Sequence, residues 1–175
     1  MRKSLATAAC AVILLSSSRA EAETATSCPG SAVEQASKGV TASTLFTAAE
    51  IRQITATKPS PIDQMKTEES PLPGGGSECD VAGFGIQIDA VPVARFEANR
   101  EAFSTRAKYE RVADVADAAY FYEQGVGTSV PVIGVYARTA AHVFVISNLV
   151  GMNESVADLR PQLLALGKAA AAKLR

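Results

Sequence analysis

The chain has 175 residues, 47% of them hydrophobic and 20% charged, with 17 basic against 18 acidic side chains and a single histidine. That length and apolar content suit one domain with a proper core. The near-neutral charge, without any Lys/Arg cluster, excludes the footprint of a nucleic-acid binder or a polybasic membrane-surface protein.

The chain opens on Arg2 and Lys3, an apolar run from Leu5 to Leu15, and the small-residue pattern Ala20-Glu21-Ala22. These are the three parts of a secretory signal peptide, so residues 1–22 are expected to be cleaved and the mature chain to be periplasmic or secreted. The run falls short of the ~20 apolar residues a membrane span needs. Cys10 lies inside it rather than after it, which argues against a lipid anchor. Cleavage would remove three cations and one anion, leaving a net charge of about −3.

Residues 23–43, rich in Ala, Ser, Thr and Gly, read as a flexible segment before a single domain over 44–175. Within it lies Cys28, which with Cys79 makes the only cysteine pair of the mature chain. In an exported protein two cysteines imply one disulfide. It would close a loop of about fifty residues, a constraint of roughly 4 kcal/mol on the unfolded chain.

The first helix signal is "LFTAAEIRQI", where Thr47 and Glu50 form a capping box and Phe46 can staple onto Ile51. The helix is predicted over about 48–57, stopping before Pro59. From Lys58 to Ser77 four prolines and three glycines predict a long irregular loop. Gly74-Gly75-Gly76 is not a phosphate cradle. No helix and no Lys-Ser/Thr pair follow it; instead Phe84, Ile86 and Ile88 alternate as in a strand.

Pro92 can open a second helix, with Val93, Phe96, Phe103 and Ala107 at helical spacing. Three strands follow: "AAYFYEQ", "VPVIGVYAR" and "AHVFVISNLV". A tight turn near Thr139-Ala140 would pair Ala137 with His142, Val135 with Phe144 and Ile133 with Ile146. The other face would then carry Val132, Tyr136, Val143, Val145 and Leu149. Both faces of this hairpin are apolar, so the second needs a helix, a partner or a ligand over it. A last helix should begin near Asn153 to Asp158, with a partial cap from Ser155 and Asp158, kink or restart at Pro161, and line up Val156, Leu159, Leu163, Leu166, Ala170 and Leu174 on one stripe. The expected fold is α+β, in the order α-β-α-β-β-β-α, with one antiparallel sheet of about four to six strands.

No catalytic constellation stands out. His142 is alone, and no His/Cys cluster accompanies it, so neither a metal nor a cofactor is expected. Asp114 and Asp117 could do acid–base work in a hydrolase, but aspartates before a strand more often organise a turn. Asn153-Glu154-Ser155 matches a glycosylation sequon by chance. Tyr120, Tyr122 and Tyr136, with Val143, are the candidate binding residues, because aromatics with a polar tip suit ligand or protein contact.

"LFTAAEI", "CDV", "EAF" and the segment Val112 to Tyr120 together resemble small exported bacterial domains, namely actinobacterial lipoprotein-type domains and the extracellular sensor domains of mycobacterial serine/threonine kinases. Two glycines of the resembled pattern are replaced here by Asp114 and Ala116. The resemblance implies a non-catalytic domain that binds something outside the cytoplasm. The partner would be a small molecule or an extracytoplasmic protein, with a homodimer through the second apolar face as a further option. The alternative is an inhibitor of an extracytoplasmic enzyme that presents the Pro/Gly loop.

Overall fold

The computed structural model describes residues 39–61, 68–72, 75–89, 91–125, 130–151 and 154–175. The expected signal peptide, Cys28, Asn153 of the sequon match, most of the segment 23–43 and part of the Pro/Gly loop lie outside them.

The fold is α+β, with one antiparallel sheet. Two short helices open it, α1 (Ala42–Leu45) and α2 (Ala48–Thr55). Strands β1 (Ser70–Pro71), β2 (Gly76–Val81) and β3 (Phe84–Asp89) follow. A 3₁₀ turn over Val93–Arg95 leads into α3 (Phe96–Phe103). Then come β4 (Ala107–Val112), β5 (Ala118–Gln124), β6 (Val132–Arg138), β7 (Val143–Leu149) and the long α4 (Val156–Lys173). The sheet has seven strands in the order β1-β2-β3-β7-β6-β5-β4, more than the expected four to six.

The extra strands are β1, β2 and β4. β1 is only two residues long. β2 alternates inward Ser77, Cys79 and Val81 with outward Glu78 and Asp80, and joins β3 through Ala82 and Gly83. Both turn residues have positive φ, 51° and 83°, as a two-residue hairpin turn of the primed type requires. β4 takes the stretch that reads as the end of the second helix. Ser104 closes α3 by donating from Oγ to the Glu101 carbonyl (2.7 Å), and Arg106 N–H turns back to Phe103 C=O (2.9 Å). Lys108, Glu110 and Arg111 dilute the apolar alternation of β4, as charges commonly do on an edge strand.

The central hairpin keeps its expected faces but shifts register by two residues. Ala137 pairs with Phe144, Val135 with Ile146 and Ile133 with Asn148. The cause is Thr139. Its buried Oγ1 accepts from Ala141 N–H (3.3 Å) and His142 N–H (3.1 Å) and donates to the Leu174 carbonyl (3.3 Å). The loop therefore spans four residues rather than two. Because the slip is even, no side chain changes face.

One sheet face carries Phe84, Ile86, Ile88, Phe121, Ile133, Val135, Phe144 and Ile146, and packs against α1, α2 and α4. In α4, Leu159, Leu163, Leu166, Ala170 and Ala171 are buried, and Leu174 just beyond it is buried too. Pro161 does not restart the helix, which is continuous through it. The N–H it lacks would serve a carbonyl on the exposed first turns, and Gln162 Nε2 adds a bond to Asp158 C=O (3.1 Å). Lys173 ties the layers together, reaching Leu45 C=O (2.8 Å) and Glu50 (2.7 Å) over the Phe46 ring.

The predicted capping box at Thr47 and Glu50 is formed in both directions. Its helix ends at Thr55, where Ala56 turns left-handed. α1 begins at Ala42, inside the stretch expected to be flexible, held by Ala42 N–H on Ser77 Oγ (2.8 Å). Among the described residues, no helix is long and apolar enough to cross a membrane.

Gly134 is the tightest point of the sheet. A Cβ there would lie 2.5 Å from the Ile146 carbonyl oxygen and 2.7 Å from the Tyr122 ring. Gly134→Ala should cost about 1–3 kcal/mol by overpacking, read as a lower urea midpoint at unchanged m-value.

Candidate functional site

The second sheet face carries a group of aromatic residues. In β5 and β6, Tyr120 lies opposite Tyr136, and Tyr122 lies opposite Gly134. In β4, Tyr109 lies opposite Tyr122. With no side chain at Gly134, the Tyr122 ring lies across the β6 backbone and its hydroxyl reaches Ser147 of β7. Tyr109 is the hub, with ring centroids 5.9 Å from Tyr122, 6.3 Å from Tyr120 and 6.4 Å from Tyr136.

α3 covers part of this face. Its buried Phe96 stacks on Tyr136 at 4.5 Å and 15°, and the Tyr136 hydroxyl donates to the Phe96 carbonyl (3.2 Å). The Tyr120 hydroxyl donates to the Glu97 carboxylate (3.0 Å). Arg100 pairs with Glu97 (3.1 Å) and lies 4.9 Å over the Tyr120 ring. The two hydroxyl bonds fix Tyr136 and Tyr120 by their polar tips, while Phe96 and Arg100 each cover one ring face.

Between α3 and the sheet a cavity of about 250 Å³ remains. Tyr109, Tyr122, Tyr136, Phe103 and Val145 supply its apolar walls; Gln87, Asp89, Asn99, Arg106 and Gln124 supply its polar groups. Phe103 is 53% exposed, so the helix leaves the mouth accessible. Burial pushes the Tyr122 phenol up to about 12, against the opposing bond to Ser147. Burial also raises Tyr109 and, with the Asp89 charge nearby, Tyr136. Asp89 itself is raised by burial, partly offset by the 2.6 Å bond it accepts from Gln87 Nε2.

Of the four residues singled out from the sequence, Tyr122 and Tyr136 line the cavity. Tyr120 packs beside it under Arg100, and Val143 is fully buried in the same cluster. Tyr109, Asn99 and Asp89 were not legible as site residues. Tyr109 falls in the stretch that reads as helix, and Asp89 reads as one more outward polar residue of its strand.

The other candidates serve the backbone or the surface. Asp114 has a left-handed φ of 62°, at a position where the resembled pattern carries a glycine. Asp117 faces Arg175 at 3.4 Å. The His142 carbonyl closes the β6–β7 loop by accepting from Thr139 N–H (2.9 Å). Among the described residues no group of three or more His, Cys, Asp or Glu could hold a metal ion. Cys79 is buried on β2, and its proposed partner Cys28 lies outside the described residues.

A larger hollow of about 730 Å³ lies at one end of the sheet, walled by the Ala82-Gly83 turn, the ends of β6 and β7 and the first turns of α4. Backbone and mixed side chains line it, and no aromatic cluster faces it apart from Phe84. The smaller cavity is the better candidate, because aromatic rings and a half-buried carboxylate converge on it.

The raised Tyr122 phenol gives a pH prediction. The folded protein keeps this proton where the unfolded chain releases it, so the Tyr122 contribution to stability should be constant below pH ~10 and fall as pH rises from about 10 towards 12. The difference in unfolding free energy between the parent and Tyr122→Phe should shrink across that window in a series of urea titrations. No family model matches the chain, and comparisons with curated proteins and with solved structures find no match either.

Proposed function

We propose that this chain is an exported, non-catalytic binding domain, and that the tyrosine-lined cavity under α3 is its ligand site. The observation that carries this reading is the incomplete cover of the second sheet face. α3 stacks Phe96 on Tyr136 but leaves Tyr109, Tyr122, Tyr136 and Val145 around a cavity instead of a closed core. Export is supported by the N-terminal pattern of residues 1–22, and a Cys28–Cys79 disulfide is the pairing an exported chain with two cysteines would make. The described residues that line the cavity supply aromatic rings, amides, one carboxylate and one guanidinium, a set suited to holding a molecule.

Two measurements test this. Fragment screening by ¹H–¹⁵N shift perturbation should give hits whose largest shifts map to Asn99, Tyr109 and Tyr122, and Tyr122→Ala should weaken them about tenfold or more. Leu149→Ala, on the same face but outside the cavity, should leave them unchanged. Hits that map instead to the larger hollow at the sheet end would overturn the assignment. Separately, alkylation of denatured mature protein before and after reduction should show no free thiol before and two after; two free thiols from the start would exclude the disulfide.

A further inference from the structure

Asp89 ends β3 on the cavity side of the sheet. Its Oδ1 accepts from Gln87 Nε2 at 2.6 Å, and among the described residues it forms no ion pair. The cations near this face are engaged elsewhere or stand at its margin. Arg100 pairs with Glu97 over Tyr120 and Arg138 lies 5.9 Å over the Phe96 ring; Arg106, in the exposed turn between α3 and β4, borders the cavity but forms no ion pair with Asp89. A half-buried carboxylate without a cationic partner is an expensive arrangement in a folded chain. Burial already drives it towards the neutral form. Beside it stand Tyr109, Tyr122 and Tyr136, whose ring faces carry negative quadrupole potential.

Resting on the cavity reading above, we propose that the ligand is a small organic ammonium cation, bound with its charge at Asp89 and its alkyl groups against the three tyrosine rings. Aromatic walls with a carboxylate at one end make a receptor for a bulky, weakly hydrated cation. The rings attract the charge through their faces while their apolar area takes the alkyl substituents. A volume of about 250 Å³ lies below the range of drug-sized sites, which suits a ligand the size of a substituted ammonium group. Hydroxyl bonds to Ser147 and to the Phe96 carbonyl hold Tyr122 and Tyr136 in place before any ligand arrives, so little ordering is needed on binding.

The test uses choline and its neutral carbon isostere 3,3-dimethylbutan-1-ol on the intact mature protein, followed by NMR titration. Choline should bind saturably and shift Asp89, Tyr109 and Tyr122, with the isostere weaker by about tenfold or more. Asp89→Asn should weaken choline by about tenfold or more while leaving the isostere unchanged. Its thermal midpoint should be no lower than the parent's, because the change removes a partly buried charge, and this separates lost recognition from lost fold. Equal binding of the two probes, or choline binding indifferent to Asp89→Asn, would overturn the cation assignment. If choline fails while neutral fragments still map to the cavity, only the cation assignment falls. If no fragment maps there, the binding-site reading falls with it.

Discussion

A strand that is apolar on both faces has to be covered twice, and most of this fold follows from that requirement. β6 and β7 carry Ile133, Val135, Phe144 and Ile146 on one face, and Tyr136, Val143 and Val145 on the other. α4 answers the first face with a stripe of leucines and alanines. Close approach is possible because Gly167 meets Val115 and Val135, where a Cβ would come within 3.1 Å of Val135. The second face is left to α3, only eight residues long and burying a single large side chain, Phe96. One short helix cannot cover four strands. The area it leaves open is where the cavity forms.

The tyrosines make that partial cover stable. A phenol buries its ring and still satisfies its hydroxyl at the edge. Here the partners are a helix carbonyl for Tyr136, a helix carboxylate for Tyr120 and, across β6, a serine of β7 for Tyr122. The helix α3 and the strands β5, β6 and β7 are thus joined through one aromatic cluster. The absence of a side chain at Gly134 lets Tyr122 lie flat enough to cross β6, so a packing constraint in the sheet also sets the shape of the cavity. The electrostatics follow from the same geometry. Removing Asp89 from water raises its carboxyl, and its charge in turn disfavours ionisation of Tyr136.

Much of the fold was legible from local signals. The capping box at Thr47 and Glu50, the Ser155 cap and the leucine stripe of α4 all depend on residues within one helix. The alternation in β3, β5, β6 and β7 marks strands wherever one face is strongly apolar. The pattern fails at β4, where an edge position allows Lys108, Glu110 and Arg111 to replace apolar residues, and at β1 and β2, which stand next to prolines and glycines. The hairpin register was missed by two residues because one buried hydroxyl, that of Thr139, stabilises a four-residue loop through bonds that no periodicity reveals.

By itself the sequence determined which side chains share a face, because alternation along a strand depends only on the pleat, and an even register slip leaves it intact. It therefore put Tyr120, Tyr122, Tyr136 and Val143 on one surface. It also carried the N-terminal run of cations, apolar residues and small residues on which the proposal of export rests. The tertiary structure alone decided which of those residues border empty space and which are sealed. It brought Tyr109 from β4 and Asp89 from β3 to the same cavity, across the three strands between them. Those neighbours are distant in the chain, and only strand order and the length of α3 set how close they come.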